Sequence, residues 1–177
     1  MIVTGVYFQH GKVAKPVVSG QTFDRSVKVE YGQPIKVAHV IDGDTIELIN
    51  GERLRYIGMD TPEEFDPRKP VQCFAKEAAE HNRQMVEGKE IKFYKDMTSY
   101  DKYGRWLGFV YLADGTFVNL ELVKQGYAFA YPFPPDISKF TEFQTAETVA
   151  RTAKLGLWGG CTISSTSYGR EQTNPVK

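Results

Sequence analysis

One short run carries an arginine and two carboxylates: Arg-Leu-Arg-Tyr-Ile-Gly-Met-Asp-Thr-Pro-Glu at 53–63. Arg55 is a permanently charged fork of five donors, shaped for a phosphate. Asp60 and Glu63 are of the type that binds a hard cation or orients water. A cation site, a carboxylate and a guanidinium on one element are what phosphodiester cleavage requires. Two other stretches add to the set. Val-Ile-Asp-Gly-Asp-Thr-Ile at 40–46 offers Asp42 and Asp44, and Asp-Lys-Tyr-Gly-Arg at 101–105 offers Lys102, Tyr103 and Arg105. Each has a plainer reading. Asp-Gly-Asp by itself makes a hairpin turn, and Arg53, Arg55 and Arg105 could each be a solvated charge.

The elements that must position these residues are mostly strands. Ile35–Ile41 and Thr45–Ile49 flank Asp-Gly, a strong hairpin signal, and Asn50-Gly51 leads directly into a third strand over 53–59. Three prolines, Pro62, Pro67 and Pro70, mark a loop. Phe74, Ala78, His81 and Met85 recur at helical spacing, and Gly88 closes that helix. Residues 90–94 and 106–112 predict the fourth and fifth strands. A short helix is expected at about 118–125 and a longer one at roughly 139–155, with Thr141 and Gln144 spaced as a capping box. Five strands with helices after the third and fifth give an α+β, mainly β class: a five-stranded OB-type barrel with about three packed helices. Residues 1–33 read as a leader or extension, 34–160 as the domain and 161–177 as a polar tail.

In family order, the three motifs resemble staphylococcal nuclease (thermonuclease). The resemblance implies a Ca²⁺-dependent, sugar-non-specific nuclease of DNA and RNA that leaves 3′-phosphate ends. It implies Asp44, Asp60 and the Thr61 carbonyl as cation ligands with Asp42 in support, and Arg55, Glu63 and Arg105 as catalytic residues. Lys102, Tyr103 and Tyr131 match positions lining the nucleotide pocket. Where the family has a second tyrosine this chain has Pro132-Phe133, so Phe133 would stack without a hydroxyl. For Tyr131, plain packing is an equal alternative. The rival class is a catalytically inactive nuclease-like module binding nucleic acid or a protein partner, and such a module would be expected to lose part of the charged set. A plain single-strand-binding barrel would need the aromatics but not the carboxylates.

Composition excludes little beyond that. The chain has 177 residues, 22 Lys+Arg against 22 Asp+Glu, 41% hydrophobic and 13% aromatic residues. It has enough apolar content for a core and is too neutral for a broad basic coat. No stretch reaches the roughly 18 apolar residues of a membrane span. No signal peptide is expected in residues 1–19. A monomer is expected, acting on single-stranded or locally opened DNA and RNA. His10, His39 and His81 form no constellation, and Trp106 and Trp158 read as core or rim aromatics. Cys73 and Cys161 are too few for a disulfide scaffold and could be unrelated. In the resembled architecture the chain end folds back over the barrel. That implies a Cys73–Cys161 bridge and, with it, an extracellular or cell-envelope enzyme.

Overall fold

Alternating burial along Ile35–Asp42 (β1) and Glu90–Tyr94 (β5) gives each strand one face for a common core. The structure, a computed structural model, describes residues 22–67, 70–167 and 169–176. Most of the expected leader, with His10, Ile2-Val3 and Val17-Val18, lies outside the described residues. The closed barrel runs β1, β2 (Thr45–Leu48), β3 (Arg53–Tyr56), β6 (Trp106–Leu112), β5, and back to β1. Its pairs are antiparallel except β3–β6, which is parallel and sets Arg55 beside Leu107. Val37, Ile46, Leu54, Tyr56, Phe93 and Val110 fill the barrel. Helices α1 (Ala75–Val86), α2 (Val118–Lys124) and α3 (Phe140–Thr152) pack outside it.

The third strand is not continuous to Met59 as its apolar residues predict. β3 ends at Tyr56, and Met59–Asp60 forms a separate strand, β4, pairing with β7 (Phe129–Ala130). Gly58 sits at φ +81°, and a Cβ there would lie 2.3 Å from Phe143 Cε2. The kink leaves backbone groups to be satisfied, and the buried Asn119 does so. Its amide donates to the Ile57 carbonyl at 3.0 Å and the Gly108 carbonyl at 3.2 Å, and its oxygen accepts the Val110 N–H at 2.9 Å. Breaking the strand turns Asp60 back towards Arg55.

One further expectation needs correction, and two elements add to the outline. The capping box is absent: α3 begins at Phe140 with no side-chain cap, and Thr141 lies inside it, its carbonyl accepting Thr145 Oγ1. A fourth helix, α4 (Leu157–Gly160), follows Gly156. The polar tail contains a hairpin, β8 (Ile163–Ser165) with β9 (Glu171–Thr173). It docks on the loop before α1: the Cys73 N–H donates to the Asn174 carbonyl at 2.7 Å, Thr173 Oγ1 to the Cys73 carbonyl at 2.8 Å, and the Val176 N–H to the Val71 carbonyl at 2.9 Å. Cys73 and Cys161 are joined by a disulfide. A hairpin held by backbone bonds and one covalent link needs no apolar period, so its composition does not announce it.

Candidate active site

Asp42, Gly43 and Asp44 turn β1 into β2, and the turn lies tightly against Thr61: a Cβ on Gly43 would come 2.6 Å from Thr61 Cγ2. Only glycine allows that approach. The Thr61 N–H donates to Asp44 Oδ2 at 3.2 Å, locking the turn to the end of β4. Arg55 stands opposite Thr45 across β2–β3 and reaches both carboxylates. Its Nη1 donates to Asp44 Oδ1 at 2.6 Å and its Nη2 to Asp60 Oδ1 at 2.8 Å. All three groups are largely withdrawn from water, the Arg55 side chain being 16% exposed.

Arg105 approaches from the end of the turn that precedes β6. Asp101 holds it, with Nε donating to Oδ2 at 2.7 Å and Nη2 in an ion pair with the same oxygen at 2.6 Å. Arg105 Nη1 also donates to Thr45 Oγ1 at 3.4 Å, and that hydroxyl donates to Asp44 Oδ1 at 3.0 Å. The two arginines therefore face one carboxylate from two sides. Glu63 lies in the loop after β4, fixed through its backbone N–H to Gln72 Oε1 at 2.7 Å and through the Phe65 N–H to Glu63 Oε1 at 3.1 Å.

Aromatic rings border this cluster. Phe133 lies 5.8 Å from the Arg55 guanidinium and 4.6 Å, centroid to centroid, from Tyr131. Tyr103, 73% exposed, has Arg105 at 5.5 Å and Lys102 at 5.1 Å from its ring. The histidines stay apart: His39 pairs with Glu87 at 3.2 Å, and His81 stacks on Tyr127 at 4.0 Å. Trp106 packs against Tyr31, and Trp158 against Phe129.

The charges do not balance. Arg55 is desolvated, yet Asp44, Asp60, Asp42 and Glu63 hold its guanidinium charged, above its ordinary value. Burial raises the Asp60 carboxyl while Arg55 and Arg170 draw it down. Burial and then the adjacent Asp44 push the Asp42 carboxyl up to about 8. It accepts the Asp44 N–H at 3.1 Å, and Arg55 draws it down only in part. Among the described residues no three acidic, His or Cys side chains converge as a ready-made cage. The carboxylates present are nevertheless the buried Asp44 and Asp60 with Asp42 beside them, all hard oxygens. They fit a hard divalent cation completed by water and substrate.

Sequence reasoning misses Asn119, Gln72 and Arg170. An asparagine on a buried helix face was a signal for the first. Arg170, whose guanidinium hydrogen-bonds Asp60 Oδ2, gives none, since it lies in a polar stretch 110 residues away.

A profile of staphylococcal nuclease homologues matches residues 53–160. The thermonuclease of Staphylococcus intermedius is 35% identical over 139 residues, covering 77% of this chain and 82% of that protein. The thermonuclease of Staphylococcus hyicus is 35% identical over 129 residues, 71% of this chain and 76% of that one. Endonuclease YncB of Bacillus subtilis is 36% identical over 129 residues, 70% of this chain and 61% of that protein.

Proposed function

The chain belongs to the staphylococcal nuclease family and is a nuclease, hence a phosphodiesterase, and on that premise we propose that it is a Ca²⁺-dependent enzyme cleaving DNA and RNA alike to leave 3′-phosphate and 5′-hydroxyl ends. The observation that carries the reading is the Arg55 fork, split between Asp44 and Asp60 inside the barrel wall. Burying three charged groups together is a poor source of stability, and such an arrangement marks a functional site.

Asp44, Asp60 and the Thr61 carbonyl, with Asp42 beside them, would hold Ca²⁺. When bound, the ion supplies Lewis-acid stabilisation of charge on the phosphate. Arg55 would offer its N–H groups not taken by Asp44 and Asp60 to the non-bridging oxygens, where negative charge builds up as water attacks. Arg105, on the other side of Asp44, offers donors to the oxygen that departs. Glu63 accepts a proton from the attacking water or holds that water in line, its carboxylate steadied by the Phe65 N–H. Tyr103, Tyr131 and Phe133 offer faces on which bases stack irrespective of sequence, with Lys102 near the backbone. This suits single-stranded or locally opened strands. The Cys73–Cys161 disulfide supports action in an oxidising compartment, outside the cell or in its envelope. Among the described residues no helix is long and apolar enough to cross a membrane.

The test is direct: incubate single-stranded DNA and RNA with the protein in Ca²⁺ and in chelator, and read fragment ends by mass spectrometry. Cleavage of both polymers in Ca²⁺ alone, with 3′-phosphate ends, is expected. Cleavage that persists in chelator, or 5′-phosphate ends, would overturn the proposal.

A further inference from the structure

Arg170 lies beyond the stretch that matches the family profile, yet its guanidinium reaches the centre of the site. The β8–β9 hairpin brings it there. That hairpin is fastened by the disulfide, by its backbone bonds to 71–73, and by Arg151, whose Nη2 meets Glu171 Oε2 at 2.6 Å. The turn between its strands is itself braced, with the Thr166 N–H donating to the Arg170 carbonyl at 2.7 Å. Asp60 thus sits between two guanidinium groups, Arg55 on Oδ1 and Arg170 on Oδ2. The two differ in what they can do next. Arg55 is enclosed by the barrel, whereas the Arg170 side chain is 40% exposed and lies over the Tyr131 ring at 5.2 Å. Tyr131 in turn touches Phe133, the ring beside Arg55. A strand stacked on Tyr131 and Phe133 would carry its backbone past Arg170.

Resting on the nuclease reading above, we propose that Arg170 is a further substrate-binding residue, supplied by the C-terminal hairpin. It neutralises Asp60 in the free protein and takes a backbone phosphate of the bound strand once Asp60 turns to the cation. A carboxylate and a phosphodiester both offer two oxygens to a guanidinium, so the exchange keeps the fork satisfied. The exposed stem gives it room to move, and the disulfide keeps the hairpin within reach while it does.

The test uses the full chain in Ca²⁺ with a fluorescent single-stranded phosphorothioate oligonucleotide, which resists hydrolysis and keeps its backbone charge. Arg170→Gln is expected to weaken binding about tenfold and to flatten the dependence of log affinity on log salt by about 0.7, the value of one single-strand phosphate contact. Arg170→Lys, which keeps the charge, should retain the slope. A purely structural role for Arg170 would leave the slope unmoved, and an unchanged slope in Arg170→Gln overturns strand binding. Calorimetry without the strand reads the other half: Arg170→Gln should tighten Ca²⁺ binding about three- to fivefold, because Asp60 no longer has to leave a partner. Unaltered Ca²⁺ affinity overturns the pairing in the free state. Failure of the nuclease reading would appear elsewhere, as an absence of cleavage by the unsubstituted protein, and neither binding measurement depends on turnover.

Discussion

The two arginines that face Asp44 are held in opposite ways. Arg55 grows from the middle of a barrel strand, and both its terminal nitrogens end on carboxylates that are themselves buried. Arg105 stands at the end of a turn built by one residue. Asp101 Oδ1 receives the Tyr103 and Arg105 N–H groups at 2.8 and 3.0 Å, while its Oδ2 receives the Arg105 side chain. The first arginine is positioned by the fold, the second chiefly by Asp101 four residues before it. Errors in the barrel should therefore reach Arg55 and the carboxylates together, whereas errors in the turn should stay local.

The largest expected effect separates the two arms. Arg55→Lys keeps charge but loses the fork, and should lower kcat/KM by about 10²–10³, the usual loss for one preorganised donor. Arg105→Lys should cost less than that and still more than tenfold, since the turn allows a lysine to readjust. Steady-state cleavage of single-stranded DNA at saturating Ca²⁺ measures both, and equal losses would erase the distinction drawn here. Glu63→Gln should reduce kcat about a hundredfold with KM little changed, if Glu63 acts on the attacking water, as base or as positioner, and not in holding the strand. A rise in KM with kcat intact would move Glu63 from the chemistry to binding.

Next comes the cation. If the proposed ligand set is right, Asp44→Asn or Asp60→Asn should weaken Ca²⁺ binding by about tenfold or more, read by calorimetry, as each would remove an anionic ligand from a small set. Neither fold should collapse, since an asparagine oxygen still accepts from Arg55. A Ca²⁺ isotherm identical to that of the parent would remove the residue concerned from the ligand set.

On stability, the comparison extends to two glycines of similar backbone. Gly58 and Gly104 sit at φ +81° and +76°, but a Cβ meets Phe143 at the first and nothing within 4 Å at the second. Urea unfolding should show Gly58→Ala losing about 3 kcal/mol, from backbone strain and overpacking. Gly104→Ala should lose about 1 kcal/mol from the backbone alone. Similar losses at both positions would mean that the barrel side tolerates distortion as readily as the turn.

The five barrel strands were legible because each is a short run with its own period and its own turn: Asp42-Gly43 and Asn50-Gly51 announce the first two connections. The charged set was legible for a different reason, as three motifs in an order that resembles a known family. What escaped detection depends on contacts distant in sequence. Gly58 reads as one more strand residue until Phe143 and Asn119 are placed against it. Arg170 looks like a tail charge until backbone bonds to residues 71–73 dock its hairpin. Thr141 and Gln144 have the spacing of a cap, but the Phe140 N–H already meets the Ile137 carbonyl, and the helix starts upstream of them.

The parallel pairing of β3 with β6 also sets the order in which the protein comes into being. A chain emerging from the ribosome presents Asp44, Arg55 and Asp60 early, but the strand that must lie beside Arg55 arrives only with Leu107, after α1 and β5 have been made. Until then β3 has one free edge and the barrel stays open. Closing a contact over that span is a late and comparatively slow event. Arg105 immediately precedes the strand that closes the barrel, so the neighbour of Arg55 and the second arginine are delivered together. A half-synthesised chain has the carboxylates without the wall that encloses Arg55 beside them, and that grouping is complete only when the barrel shuts.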